Sequence, residues 1–120
     1  MQTARTEPKS TEYCIVLCTC PDQDSANELA AMLVKNKLAA CVNILPGLTS
    51  VYEWKGNIEK SQELLLIVKT KSTAFQTVVN AILDRHPYEL PEIISIPINN
   101  GLANYLSWID DNVTSDLPDR

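Results

Sequence analysis

Two cysteines near the end of one apolar run, Cys18 and Cys20, are the residues whose type and spacing best suit chemistry. In an extended strand successive side chains point to opposite faces, so residues two apart share a face. A Cys-Thr-Cys step in a regular strand therefore sets two thiols side by side. Thiolates are soft donors that favour copper(I), zinc and similar ions. The chain has four cysteines, Cys14, Cys18, Cys20 and Cys41, and one histidine, His86. Free cysteines also pack as small hydrophobes. That role is expected of Cys14 and Cys41, which fall inside strand patterns, while ligation and packing are both open to Cys18 and Cys20 at a strand end. His86 closes a helical pattern, where hydrogen bonding of a cationic imidazole at the helix C-terminus is the plain alternative to ligation.

Catalysis has little to build on. No Ser-His-Asp or Cys-His-Asn pattern is recognisable, three glycines make no phosphate loop, and no carboxylate pair stands apart from surface charge. The chain is therefore expected not to be an enzyme; the catalytic alternative is Cys18 as nucleophile with His86 as its base. The net charge of -5, the pI of 4.7 and the dispersal of Lys and Arg argue against a polyanion-binding surface, and so against nucleic acid. The first dozen residues carry no apolar block. No later segment approaches the roughly 20 apolar residues of a membrane span. A cytoplasmic protein with reduced thiols and no membrane partner is the expectation.

The elements that would position these groups read clearly along 120 residues, a length suited to one domain. Tyr13 to Thr19 is a buried strand stopped by Pro21. Asp22 is a plausible N-cap, Ser25 and Glu28 suggest a capping box, and Ala26, Leu29, Ala30, Leu33 and Val34 fall at helical spacing as far as Asn36-Lys37. A second helix, capped by Ser72, carries Phe75, Val78, Val79, Ile82 and Leu83 and stops at His86-Pro87. Ile93 to Ile98 is a short strand placed near an edge by Pro97. Leu102, Tyr105, Leu106, Ile109 and Val113 mark a third helix. Residues 1–12 and 114–120 read as solvated tails around a domain at 13–113.

Between the first two helices lies a long hairpin. One apolar arm runs from Cys41 to Tyr52 with an interruption at Pro46-Gly47, a turn follows at Lys55-Gly56-Asn57, and the second arm returns from Ile58 to Lys69. A dozen residues give an arm of roughly 40 Å, against a radius of gyration near 13–14 Å for a compact domain of this size. An isolated ribbon with apolar edges is marginal in water and invites other chains. Homo-oligomerisation is the expectation; the alternative is a bulge at Pro46-Gly47 that folds the arm back over its own core. The whole order predicts an α+β, ferredoxin-like β-α-β-β-α-β sheet with a long central hairpin, both main helices on one face, and a C-terminal helix.

Leu17-Cys18-Thr19 before Pro21-Asp22, Lys37-Leu38-Ala39-Ala40-Cys41-Val42-Asn43, Pro46-Gly47, Tyr52-x-Trp54-x-Gly56, Lys69-Thr70, His86-Pro87-Tyr88-x-x-Pro91-Glu92 and Tyr105-Leu106-x-Trp108 together resemble the CutA family of divalent-cation tolerance proteins. The match is collinear from about Ile15 to Ile109. The resemblance implies a ferredoxin-like subunit in a cytoplasmic homotrimer knitted by the hairpins, and a connection with tolerance to copper and other divalent metals. It associates a copper site with Cys18 and with two adjacent histidines, the second of which is His86. The first is Arg85 here, and a guanidinium holds its proton and offers no lone pair. Cys18, Cys20 and His86 remain as a small N/S site for copper or another divalent metal ion.

The resemblance leaves a second reading. Tyr52, Trp54, Tyr88, Tyr105 and Trp108 suit either subunit packing or, with Glu63, Lys69, Glu89 and Glu92, an intersubunit cleft for a polar small molecule. That alternative is a sensor analogous to the trimeric nitrogen-regulatory PII proteins, acting through a protein partner that the sequence does not name.

Overall fold

In a computed structural model that describes residues 12–115, the element order is β1 (Tyr13–Cys20), α1 (Gln23–Lys35), β2 (Cys41–Trp54), β3 (Asn57–Lys71), α2 (Phe75–Leu83), β4 (Ile93–Pro97) and α3 (Ala103–Asn112). Apart from Glu12, Thr114 and Ser115, the expected tails lie outside the described residues. The strands form one antiparallel sheet in the order β2-β3-β1-β4. This is the ferredoxin-like arrangement that the alternation of strand and helix patterns predicts.

Local chemistry sets most element ends. Asp22 caps α1 as expected: its Oδ1 accepts from the Ser25 backbone N–H at 2.8 Å and from the Ser25 hydroxyl at 2.9 Å. The capping pair is thus Asp22 with Ser25, not Ser25 with Glu28. Ser72 does not cap α2 either. Ser72–Ala74 form a single 3-10 turn, and α2 starts one turn later, after Ala74.

Alternation along β1 puts Cys14, Val16, Cys18 and Cys20 on the helix-covered face, each at most 1% exposed. Leu64, Leu66, Val68 and Thr70 of β3 lie across from them, and Leu29, Leu33, Val78 and Ile82 of α1 and α2 close the layer. Burying each of the larger aliphatic chains stabilises by roughly 1.5–3 kcal/mol. The opposite face is apolar but less covered, with Leu45, Ile94 and Ile96 at 52%, 50% and 45% exposure.

The hairpin dominates the shape. Its strands have 14 and 15 residues, and the molecule measures 55 × 30 × 28 Å with a radius of gyration of 16.0 Å. Lys55 and Gly56 both hold positive φ, at 53° and 83°, which makes the tight two-residue turn. Between the Leu45↔Leu65 and Leu48↔Glu63 pairs, Pro46 and Gly47 oppose Leu64 alone, a β-bulge. The bulge shifts the pairing by one residue and does not fold the arm back. Beyond it, among the described residues, Asn57–Glu63 pair only with β2, and Val51, Trp54 and Ile58 stay 54–69% exposed.

The third helix is fastened by charge as well as by buried Ile109. The Tyr13 hydroxyl donates to Asp110 Oδ2 at 2.5 Å, and Lys71 Nζ lies 3.2 Å from Asp110 Oδ1. These contacts hold the Asp110 carboxyl below the usual carboxylate range, Tyr13 contributing most. The same hydrogen bond pushes Tyr13 up to about 12. A depressed carboxylate contributes stability that is present above its unfolded pKa and lost as pH falls through the folded value. Asp110→Asn should therefore flatten the acid limb of the stability curve below about pH 4, as read by thermal unfolding at stepped pH, with little change in the slope near neutrality.

Candidate metal centre

Cys18 and Cys20 are held by the middle of the sheet. β1 pairs with β3 along its whole length, Cys18 facing Leu66 and Cys20 facing Leu64, and with β4 through Cys18↔Ile93. Neither thiol can leave the helix-covered face without breaking a ladder. His86 arrives from the other direction. After α2 its backbone N–H still reaches Ile82 O at 2.8 Å, and Pro87, which has no N–H, prevents a further turn. The imidazole is 8% exposed and returns to the end of β1, where Nε2 lies 2.8 Å from Thr19 O. Strand period and helix stop thus converge: one ligand atom each from Cys18, Cys20 and His86 lie within 4.8 Å of one another, all three residues buried.

The ring's protonation pattern follows from its partners. The Tyr88 backbone N–H donates to Nδ1 at 3.0 Å, so Nδ1 carries the lone pair and Nε2–H donates to the Thr19 carbonyl. This neutral, backbone-anchored imidazole replaces the helix-capping cation considered from sequence. The two thiols influence each other's ionisation. A hydrogen bond to Cys20, then burial, then the negative charges of Cys20, Glu92 and Glu63 push the Cys18 thiol far above its ordinary range. Hydrogen bonding from Cys18 lowers Cys20, with burial and the charges of Asp22 and Glu63 opposing. Cys20 is the first of the pair to become a thiolate.

A further polar chain leads away from the imidazole. The rings of His86 and Tyr88 stand 4.9 Å apart between centroids. The Tyr88 hydroxyl donates to Glu63 Oε2 at 2.6 Å, and the Ser50 hydroxyl donates to Glu63 Oε1 at 2.6 Å. Glu63 is only 7% exposed, and burial together with this carboxylate raises the Tyr88 phenol well above its usual value. Ser50 has no signal in the sequence, because its approach to Glu63 depends on the bulge that resets the hairpin register.

Arg85, Glu89 and Glu92 are exposed, Glu92 still near enough for its charge to act on Cys18. Lys69 sits six residues from Glu63 on β3, roughly 20 Å along the strand, hydrogen-bonded to Asn43 and 4.0 Å from Cys41 Sγ. Tyr105 and Trp108 pair on α3 with centroids 5.5 Å apart. Cys14 is a core residue, and Cys41 is half-buried beside Lys69.

The profile of the CutA1 divalent ion tolerance protein family matches residues 14–112. The chain belongs to the CutA1 family. A divalent-cation tolerance protein CutA of Thermus thermophilus is 47% identical over 98 residues, covering 82% of this chain and 95% of that protein. A solved divalent cation tolerance protein from Thermus thermophilus superposes with a TM-score of 0.83 at 45% identity, over 85% of this chain and 99% of that one. The CutA of Archaeoglobus fulgidus, described as periplasmic, gives 0.83 at 40% identity over 85% and 99%. Among the described residues of this CutA-family protein no helix is long and apolar enough to cross a membrane.

If Cys18 donates its proton toward Cys20, Cys18→Ala should move Cys20 ionisation to higher pH. Ultraviolet thiolate absorbance against pH, with Cys20→Ala as the reference for the remaining thiols, checks this.

Proposed function

We propose that this divalent-cation tolerance protein acts by binding a soft metal ion, with copper first in order, at Cys18, Cys20 and His86. The reading rests on the three buried ligand atoms within 4.8 Å of one another in a chain of a metal-tolerance family. Two thiols and one imidazole fit the group chemically. Soft sulfur donors select copper(I) over hard divalent ions, and a three-donor set falls short of the four donors of a structural zinc site. The bound ion would supply the charge that replaces the thiol protons, since ligation requires deprotonated sulfur. The chain's part is to hold two sulfurs on one strand face, to keep water out, and to set the imidazole against them. The role is binding rather than catalysis, and the expected setting is the cytoplasm.

We also propose a homotrimer. The apolar ribbon beyond the bulge and the half-covered sheet face of Leu45, Ile94 and Ile96 are surfaces that a lone chain leaves in water. The PII-like sensor draws less support within one chain, because Lys69 near the end of β3 and Glu63 at its middle stand roughly 20 Å apart along the strand.

Copper(I) titrated against a competing chelator should bind the native protein at one ion per chain. Cys18→Ser and Cys20→Ser should each weaken binding by more than about a hundredfold, beyond the roughly 10–100-fold that outer-shell changes typically cost; equal affinities would remove the thiols from the site. Light scattering should return three times the chain mass of 13.4 kDa, and a monomeric mass would contradict the assembly.

A further inference from the structure

His86 uses both ring nitrogens already. Nδ1 accepts from the Tyr88 backbone N–H at 3.0 Å, and Nε2–H donates to Thr19 O at 2.8 Å. A neutral imidazole has one lone pair, and an ion needs it. If the ion takes Nδ1, it displaces the Tyr88 N–H directly. If it takes Nε2, the ring proton moves to Nδ1 and faces the Tyr88 N–H, donor against donor. By either route the Tyr88 amide loses its acceptor.

Tyr88 is not free to respond alone. Its hydroxyl donates to buried Glu63, which also accepts from Ser50, so one residue joins the imidazole to both strands of the hairpin just past the bulge. Glu63 accepts both short bonds at 7% exposure, and a buried acceptor that loses a partner is costly. A shift of the 86–88 segment must then be answered at Glu63.

We propose that Tyr88 is a positioning residue for the metal centre: its amide fixes the metal-free tautomer of His86, and ion binding through His86 displaces it and alters the Glu63–Ser50 contact at the hairpin base. This rests on the metal reading above and adds its consequence for the hairpin. The backbone N–H of Tyr88 competes with the ion for one lone pair, and the phenol carries the outcome to β2 and β3. The amide and the hydroxyl of the same residue thus have separable parts.

The test uses the whole protein labelled with 15N, with and without one equivalent of copper(I). Copper should change the His86 ring nitrogen shifts, raise Tyr88 amide exchange by about fivefold, as the loss of one ordinary hydrogen bond implies, and shift the amides of Ser50 and Glu63. In Tyr88→Phe, which keeps the amide and the ring, the His86 and residue-88 changes should persist while the Ser50 and Glu63 changes vanish. Copper that binds with the His86 and Tyr88 signals unmoved would overturn this proposal and leave a thiol-only site standing. Hairpin shifts that survive in Tyr88→Phe would overturn the relay. Failure of copper to bind at all would overturn the metal reading, and this inference with it.

Discussion

The pairing of β1 on both sides is the constraint from which the candidate centre follows. A strand laddered to β3 along its full length and to β4 through Cys18 cannot slip by one residue without turning its whole inner face outward. Cys14, Val16, Cys18 and Cys20 are therefore committed to the helix-covered side together. Packing and ligand placement come from the same register. The last two thiols differ from the first only in standing where the strand ends and His86 returns, so position along the strand separates filler from candidate ligand.

The hairpin obeys a different balance. Its inner half is part of the four-stranded sheet, whereas its outer half is a ribbon with apolar side chains in water, a form that is marginal alone. The bulge at Pro46-Gly47 marks the change. It re-registers the strands where support from β1 ends, and the same step brings Ser50 within reach of Glu63. A feature that reads as an interruption in the sequence thus builds one end of the polar chain that reaches the imidazole.

Much of this was legible in the residues. Period-two alternation predicts the shared face of Cys18 and Cys20, Asp22 announces α1, and Gly56 places the turn. The remainder depends on contacts distant in sequence. His86 meets Thr19 across 67 positions, and only the packing of α2 on the sheet brings them together. Ser72 misleads because it opens a 3-10 turn that precedes α2. Glu63 and Tyr88 read as members of a cleft between subunits, and their bond to each other within one chain joins residues 25 positions apart that no local pattern pairs, while Lys69 is carried away along the strand.

X-ray absorption at the copper edge of the copper(I)-loaded protein tests the central claim most directly, because it counts the donors. The three convergent side chains predict two sulfur scatterers and one imidazole nitrogen per ion. A first shell of oxygen and nitrogen without sulfur would contradict it and place the metal elsewhere on the molecule.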